Sequence, residues 1–472
     1  MSEKNVLPQG WKWTTLESIA EIVLGQSPPS STYNQNKEGL PFYQGKTQFG
    51  DIYPTPRKWC SVPKKIAEAG DVLISVRAPV GPTNICRETS CIGRGLAAIR
   101  PLDGMPTKFI LHLLRAYEHL LAGKGTGTTF KAITGKQLRE LEIPIPPLPE
   151  QERIVAKIEE LFTQLDAGVA ELEQAKAQLK RYRQSVLKSA VEGELTREWR
   201  ESRQGELEPA SQLQGRILAE RREKWEEEQL EKFRAKGKEP KNNKWKAKYK
   251  EPAAPDIEDL PDLPEGWTWA SWEMTLSPDD GAFRRGPFGS TLKKSLFVES
   301  GYKVYEQYCP INDDPSFERY YITEELYKNL KSFHVQGGDY LISCSGVTLG
   351  RITRVPEVYK EGVINQALLR VRMNENLIAH KYFVHYFRSA IFQKLVFASS
   401  TGSAIPNLKG VKELKKLPFP IPSVQEQHRI VEMVERRLSV ADEIEKELDQ
   451  ALVRAERLRQ SVLKSAFEGR LV

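Results

Sequence analysis

The sequence is poor in the residue patterns that build disulfide frames, metal sites and membrane spans. Its five cysteines include no Cys-x-x-Cys pair, and its six histidines show no metal-ligand spacing. No apolar run approaches the roughly 18 to 20 residues that cross a bilayer, and the N-terminus carries no signal-peptide hydrophobic stretch. These absences argue against a secreted, zinc-binding or membrane protein and predict a cytoplasmic one.

Catalytic motifs are also missing. Gly135-Lys136 lacks the upstream glycine of a P-loop. There is no Asn/Asp-Pro-Pro-aromatic motif of a methyltransferase, and an E-x-K tripeptide such as Glu239-Pro-Lys241 is common by chance. The pattern predicts a protein that binds and does not catalyse.

Charge and length set broader limits. The chain has 70 Lys and Arg against 63 Asp and Glu, a net charge of +7 that permits an anionic partner without demonstrating one. At 472 residues it should hold two to four domains.

What the sequence does contain is a long internal repeat. The segment Ile-Pro-Pro-Leu-Pro-Glu-Gln-Glu-Arg-Ile-Val at residues 145–155 returns as Ile-Pro-Ser-Val-Gln-Glu-Gln-His-Arg-Ile-Val at 421–431. Arg-Gln-Ser-Val-Leu-Lys-Ser-Ala at 183–190 returns unchanged at 459–466, again 276 positions later. The repeat therefore defines the overall architecture independently of any function assigned to single residues.

A heptad-like seam runs through each copy of the repeat, after a Pro-rich turn. The seam residues are Ile154, Ile158, Leu161, Leu165, Leu172, Ala175, Leu179, Tyr182 and Val186 in the first copy, and Ile430, Val434, Ala441, Ile444, Leu448, Ala451, Ala455, Leu458 and Val462 in the second. Each helix should run about 40 residues, or about 60 Å. Such narrow stripes favour packing of the two copies as a coiled coil. The alternative is two unrelated helices that each cap their own domain.

The identical ends of the two helices predict a shared partner. Seam packing needs the same Val, Leu and Ala in both copies, but it does not need the same polar residues. We therefore predict that one partner meets both ends through Arg183, Gln184, Lys188, Arg459, Gln460 and Lys464. The alternative is a recent duplication, although the helix centres have already diverged.

The two globular segments share a frame and little else. Leu-Pro-x-Gly-Trp-x-Trp opens both, at residues 7–13 and 263–269, and Gly-Asp-x-Leu-Ile-Ser recurs at 70–75 and 338–343. Short β-like runs and an apolar helix at 107–121 mix without a βαβ rhythm, which indicates an α+β fold. The predicted division is a first globular domain at 1–148, a long helix at 149–195, a charged insertion and linker at 196–262, a second globular domain at 263–422 and a second long helix at 423–472.

The insertion is a departure from the repeat. Residues 196–233 predict exposed helix, 232–250 are strongly basic, and 251–262 form an acidic, Pro-rich tether. The charged run is either a solvated face or a contact with DNA phosphates or a partner.

Loops rich in Gly, Ser and Thr with basic, aromatic and amide neighbours occur in both globular segments. Gln and Arg suit base edges, whereas Ser, Thr and backbone N–H groups suit phosphate. The candidate DNA-binding residues are Gln26, Ser27, Tyr33, Gln44, Lys46, Gln48, Thr128 and Lys131 in the first segment, and Arg284, Arg285, Ser290, Lys293, Tyr305, Gln307, Thr401 and Ser403 in the second.

With these loops, the Pro-rich turns and the repeated helix ends, the chain resembles the specificity subunit of type I restriction–modification systems. The resemblance covers essentially the whole length. It implies two target-recognition domains that each read one half of a bipartite site in double-stranded DNA, and long helices that pair antiparallel and fix the spacing.

The resemblance also implies partners. Two methylase (modification) subunits would dock on the helices, and motor-nuclease restriction subunits would join them. The chain itself would hold no cofactor, because S-adenosylmethionine, ATP and magnesium would belong to those partners. Two alternatives stay open: a nuclease or methylase with its own DNA-reading domains, and a structural coiled-coil adaptor without a DNA role.

Overall fold

The computed structural model describes residues 7–124, 132–240, 242–257, 260–279, 281–288, 291–346, 348–397 and 407–472. The chain divides into two compact units. The first comprises residues 1–176 and 446–472, and the second comprises residues 177–445. Each unit therefore contains one globular part and a portion of each long helix.

The first unit is built on small β-sheets. Its elements are β1 Lys12–Thr15, β2 Ala20–Leu24, β3 Tyr33–Asn34, β4 Leu40–Tyr43, β5 Trp59–Cys60, β6 Ile66–Ala67, β7 Val72–Ser75, β8 Thr83–Ile85, β9 Ser90–Ile92, β10 Leu96–Pro101, α1 Thr107–Ala116, α2 Glu118–Lys124, α3 Gly135–Arg139, β11 Glu142–Ile145 and the start of α4 Leu148–Val191. One sheet has the order β2–β10–β7–β8 and another the order β3–β5–β4–β9–β6. β1 pairs antiparallel with β11, which brings the two ends of the globular part together before the long helix begins.

The second unit repeats this plan after an insertion. Its elements are α5 Arg197–Glu201, α6 Ala210–Arg234, β12 Thr268–Ser271, β13 Phe283–Arg285, β14 Tyr302–Tyr305, α7 Tyr308–Asn312, β15 Tyr321–Ile322, α8 Glu324–Asn329, β16 His334–Val335, β17 Tyr340–Ser343, β18 Ile352–Arg354, β19 Gly362–Ile364, β20 Leu368–Val371, α9 His380–Arg388, α10 Ala390–Val396, α11 Val411–Lys415, β21 Pro418–Ile421 and the start of α12 Val424–Phe467. The order β13–β20–β17–β18 matches β2–β10–β7–β8, and β15–β14–β19–β16 matches β5–β4–β9–β6. In both units the central pair of the second sheet, β4 with β9 and β14 with β19, is parallel.

The Gly-Asp landmarks of the sequence mark a buried ion pair in each unit. Asp71 is 2% exposed and receives two hydrogen bonds of 3.0 Å from the guanidinium of Arg100. Asp339 is 0% exposed and receives bonds of 2.8 and 3.1 Å from Arg372. Each carboxylate also accepts the backbone N–H of the residue three positions before it. The Gly-Asp motif therefore recurs in both units because its aspartate joins a turn to a strand in the core.

In the first unit, the beginning of α4 packs against the end of α12. Ile154, Ile158 and Phe162 share one hydrophobic core with Val462 and Ala466. Since residues near the start of one helix meet residues near the end of the other, the pairing is antiparallel.

In the second unit, the end of α4 packs against the beginning of α12. Val186 and Ala190 share a core with Ile430 and Val434. The antiparallel arrangement thus recurs, and the α+β fold with two globular parts alternating with two long paired helices is confirmed.

The repeated arginine of the helix ends lies between the helices. Arg183 bonds to Asp442 at 2.5 Å and to Glu445 at 2.8 Å. Arg459 bonds to Asp166 and lies over the ring of Phe162, with 4.4 Å from Cζ to the ring centroid. Asp442 is the repeat counterpart of Asp166, so the same pair forms once in each unit.

Three of the predicted seam positions are wrong. Tyr182, Ile444 and Leu458 are 44%, 46% and 51% exposed. Phe162 is only 8% exposed, although the predicted seam contained its neighbour Leu161 instead. The helices pack most tightly where a globular part also covers them, so a strict heptad does not describe their centres.

Two other predicted elements are corrected by the structure. The helix expected at residues 107–121 is interrupted at Tyr117, where α1 ends and α2 follows. The exposed helix expected at 196–233 is two helices, α5 and α6, and α6 buries Ala210, Leu213 and Ile217 in the core of the second unit. α6 has few apolar residues, and the many charged residues around them in the sequence led to the prediction of an exposed helix.

The interhelical ion pairs should contribute little to stability. Arg183→Ala is expected to lower the free energy of unfolding by at most about 1 kcal/mol, because Asp442 is largely exposed to solvent that screens the pair. Urea unfolding of Arg183→Ala, Asp442→Ala and the double variant gives the coupling directly, with exposed Gln184→Ala as the control. A loss of several kcal/mol would contradict this assignment.

Candidate nucleic-acid interface

In the first unit, three loops meet at one edge of the sheets. They follow β2, follow β4 and connect β9 to β10. Gly93 N–H donates to Tyr43 O at 2.8 Å, Gly25 N–H donates to Leu96 O at 2.9 Å, and Arg94 N–H donates to Ser27 Oγ at 3.2 Å. Three segments far apart in sequence are thereby held as one surface.

The second unit contains the same network in its backbone. Asn365 N–H donates to Tyr305 O at 3.0 Å and Gly286 N–H donates to Leu368 O at 2.9 Å. The turn between β9 and β10 is closed from Leu96 N–H to Gly93 O, and the turn between β19 and β20 is closed from Leu368 N–H to Asn365 O. A fourth bond joins the turn to the end of the central strand, from Val76 N–H to Gly95 O and from Cys344 N–H to Ala367 O. We call this set of four bonds the loop cradle.

Glycine is required at one position of both loop cradles. A Cβ on Gly25 would lie 2.2 Å from Gly93 O, and a Cβ on Gly286 would lie 1.8 Å from Asn365 O. Neither distance is possible between non-bonded atoms, and the obstacle is backbone that cannot move aside. In each unit, the chain after β2 or β13 therefore approaches the neighbouring turn closely only because these residues have no side chain.

The structure brings together most of the first unit's predicted DNA-binding residues. Gln26, Gln44 and Lys46 are exposed around the loop cradle, and Ser27 accepts the Arg94 N–H described above. Gln48, in contrast, uses its amide internally: Nε2 donates to Phe42 O at 3.2 Å and Oε1 accepts Gln44 N–H at 3.2 Å.

Tyr33 has a structural role in the same loop. Its hydroxyl donates to Pro28 O at 2.8 Å, and its ring stacks on Phe42 with 4.6 Å between centroids. Burial raises the pKa of its phenol. Tyr33 thus holds the loop after β2 in place.

In the second unit the predicted arginines lie beside the loop cradle. Arg285 Nη2 donates to Asn407 Oδ1 at 2.8 Å, and Arg284 lies over the ring of Phe333, 5.9 Å from its centroid. Among the described atoms, Nε of both arginines is buried without a hydrogen-bond partner. Lys293 is exposed. Both arginines thus contact side chains of the second unit itself.

One of the predicted DNA-binding residues is wrong, and the side-chain amide of another is already hydrogen-bonded within the chain. Tyr305 is 0% exposed and its hydroxyl donates to Lys360 O at 2.8 Å, so it cannot reach a ligand. Burial raises its pKa. Gln307 donates its amide to Ser345 O. Tyr305 ends β14, in which Lys303, Val304 and Tyr305 are all buried, so both faces of this strand are covered.

The remaining candidates Thr128, Lys131, Ser290, Thr401 and Ser403 lie outside the described residues. Two isolated β-bridges lie at equivalent places in the two units: Ala132 pairs with Arg77 just after β7, and Asn407 pairs with Ser345 just after β17. Both bridges adjoin the loop cradle.

A buried cation supports the sheet of the second unit. Arg370 is 3% exposed, and its guanidinium donates to Gly281 O at 2.6 Å and to His334 O. Burial lowers its pKa to about 10, against the attraction of Asp339. The charge is held by backbone carbonyls and is not available at the surface.

The predicted partner-binding residues separate into two groups. Arg183 and Arg459 bind the opposite helix, as described above, and this explains their identity without a partner. Gln184, Lys188, Gln460 and Lys464 are exposed. The two lysines lie 3.8 and 3.9 Å from the glutamates one turn later, Glu192 and Glu468.

Two residues on the loop cradle were absent from the sequence-based set. Arg94 and Gln366 occupy the same place in the turn of each unit, and both are exposed. Their surroundings read Gly-Arg-Gly and Asn-Gln-Ala, which share no residue. The backbone hydrogen bonds identify them as counterparts.

Among the described residues, none of the helices could span a lipid bilayer. No group of three or more His, Cys, Asp and Glu side chains lies close enough together in that part of the chain to hold a metal ion.

Comparison with known proteins adds a family match. The family model for the type I restriction modification DNA specificity domain matches residues 8–180 and 288–454. The putative type I restriction enzyme MjaX specificity subunit of Methanocaldococcus jannaschii is 42% identical over 176 residues, which cover 37% of this chain and 41% of that protein. The type I restriction enzyme EcoBI specificity subunit of Escherichia coli is 26% identical over 473 residues, covering 98% of this chain and 86% of that one.

Solved structures show the same fold. A chain from a study of complex assembly and conformational transition of a type I R-M system superposes with a TM-score of 0.65 at 19% identity, covering 99% of this chain and all of that one. The HsdS subunit from Thermoanaerobacter tengcongensis superposes with a TM-score of 0.51 at 18% identity, covering all of both chains.

Proposed function

The chain belongs to the family of type I restriction modification DNA specificity domains, and from this membership we propose that it is the non-catalytic subunit that selects the DNA sequence for a restriction–modification complex. Each globular part reads one half of a bipartite site in double-stranded DNA. We propose that it does so in the cytoplasm.

One observation supports two separate readers. The loop cradle is the same in both units down to four backbone hydrogen bonds, whereas the exposed side chains around it differ. A constant frame with variable exposed residues is what two readers of different half-sites require. A structural adaptor without a DNA role would have no need to keep the frame and vary only its surface.

The long helices suit the role of a spacer. α4 and α12 have 44 residues each, which corresponds to about 66 Å at 1.5 Å per residue. Successive turns of B-DNA recur about every 34 to 36 Å along the axis. We propose that the paired helices fix the distance between the two half-sites.

The exposed helix ends suit identical partners. Gln184 and Lys188 in one unit correspond to Gln460 and Lys464 in the other, and all four are exposed. We propose that one methylase subunit docks near each pair and that restriction subunits join this assembly. S-adenosylmethionine, ATP and magnesium would be held by those partners, which also carry out methyl transfer and cleavage.

Exchange of one reader tests the proposal. Replacing residues 14–140 with the corresponding segment of another specificity subunit should change one half of the methylated motif and leave the other half intact, because each unit has its own core. Sequencing of methylated adenines in a host that carries the complex gives both halves in one measurement. The unexchanged chain is the control.

Three outcomes would count against this function. A change in both half-sites would contradict separate reading. Cleavage or methyl transfer by the purified chain alone would favour an enzyme. An assembled complex that binds all DNA sequences equally at every salt concentration would favour a structural adaptor.

A further inference from the structure

We infer that Arg94 and Gln366 are counterpart base-reading residues, with Arg94 selecting guanine in one half-site and Gln366 selecting adenine in the other. This inference rests on the proposed function and names the residues that carry its specificity.

The two residues are equivalent in three dimensions. Each follows the first residue of a turn closed by one hydrogen bond, 3.0 Å from Leu96 N–H to Gly93 O and 3.2 Å from Leu368 N–H to Asn365 O. The residue after each one, Gly95 or Ala367, accepts a bond from the end of the neighbouring central strand, at 2.9 and 2.8 Å. All four bonds of the cradle match, so the side chains leave the backbone from the same place.

The backbone beneath them is fixed from both sides. In the first unit Arg94 N–H is held by Ser27 Oγ at 3.2 Å, and a Cβ on the next residue, Gly95, would come within 2.3 Å of Gln44 O. In the second unit Ala367 N–H is held by Asn365 Oδ1 at 3.1 Å. A rigid turn fixes where each side chain leaves the backbone, so binding has to order the side chain but not the backbone beneath it.

The side chains themselves are uncommitted. In the described chain, neither the guanidinium of Arg94 nor the amide of Gln366 makes a hydrogen bond or an ion pair. The nearby amides of Gln48 and Gln307 are bonded to the backbone, and Arg370 is buried. Gln26 and Gln44 are also exposed in the first unit, and Arg94 and Gln366 are exposed polar groups that both frames present at a matching point.

The chemistry of the two residues gives the bases. Arginine donates two parallel hydrogen bonds to O6 and N7 of guanine, and glutamine pairs in the same manner with N6 and N7 of adenine. Both contacts lie in the major groove and are lost when the base pair changes. A difference of Arg and Gln at one shared position is therefore a difference in the base that is read.

The test uses the full chain assembled with its methylase subunits and an oligonucleotide library randomised over the site. Arg94→Gln should replace guanine by adenine at one position of one half-site. On the original site, methylation should fall about tenfold to hundredfold, with the other half-site unchanged. Gln366→Arg should make the reverse change in the other half-site alone. Arg57→Gln, which removes an exposed arginine elsewhere in the first unit, should leave the motif unchanged.

Arg94→Lys separates base reading from phosphate binding. Lysine keeps the charge but not the planar pair of donors, so base selectivity should weaken. An unchanged motif in Arg94→Gln, or a uniform loss on all sequences that Arg94→Lys restores, would overturn the inference. Failure of the proposed function is distinguishable, since the wild-type complex would then select no split motif at all.

Discussion

Replacing Glu426 with alanine is expected to destabilise the second unit by about 3–5 kcal/mol. The carboxylate is 1% exposed and accepts three hydrogen bonds, from Trp267 Nε1 at 2.9 Å, Thr196 Oγ1 at 2.7 Å and Arg200 Nη1 at 2.6 Å. Its removal leaves the largely buried guanidinium of Arg200 without its counter-charge, and it leaves two buried donors unsatisfied.

The chain provides its own matched control. Glu150 is the repeat counterpart of Glu426, but within the described residues it accepts a side-chain hydrogen bond from the indole of Trp11 alone, at 3.0 Å. Glu150→Ala should therefore cost only about 1 kcal/mol.

Hydrogen exchange, measured by mass spectrometry on the full chain, separates the two effects. Glu426→Ala should speed exchange most around α5, which follows Thr196 and includes Arg200. Equal losses of stability in Glu426→Ala and Glu150→Ala would show that three hydrogen-bond donors contribute no more stability than one.

Acidification from pH 7.5 to pH 5 is expected to remove about 2 kcal/mol of stability from each unit. His112 and His385 occupy matching positions in α1 and α9, and burial lowers their pKa to about 3 and about 4. For His112 the positive charges of Arg115, Lys108 and Arg459 add to this effect.

The direction follows from the neutral form being favoured in the folded state. Each histidine contributes its stability fully above its unfolded pKa of about 6.5. That contribution is lost as the pH falls towards the folded pKa, because the unfolded chain takes up a proton that the folded chain excludes. Both ring nitrogens of His112 are buried without a partner among the described atoms, so the folded site offers the proton no compensation.

Urea unfolding at pH 7.5 and pH 5 measures the effect. His112→Gln should reduce the difference between the two pH values for the first unit, and His385→Gln should do so for the second. His119→Gln and His428→Gln, at exposed positions of the same two units, are the matched controls. An undiminished pH difference in His112→Gln would show that other groups cause it.

The first turn of each long helix shows how one substitution alters a repeated site. Gln427 Nε2 donates to Pro422 O at 3.1 Å, and its Oε1 accepts Ala379 N–H at 2.7 Å. Gln151 repeats the first bond, but Oε1 has no described partner, because the residue that caps α1 is Pro106 and has no N–H. An identical sequence motif therefore has different hydrogen bonding in the two units.

The amino-acid sequence by itself determined the repeat, the two long helices, the α+β character and the family. These features depend on periodicity, proline turns and recurring residues, which are local and can be read along the chain. The seam was predicted less well at Tyr182, Ile444 and Leu458, because burial there depends on which globular part lies over the helix.

Only the tertiary structure decided what the repeated arginines bind and which residues share the loop cradle. Arg183 and Arg459 looked like partner contacts, but antiparallel pairing places each one opposite an aspartate of the other helix. The residues directly before and after Arg94 differ from those beside Gln366. The two correspond because long-range backbone hydrogen bonds place them at the same point, and such bonds constrain the side chain only where two backbones approach closely, as at Gly25 and Gly286.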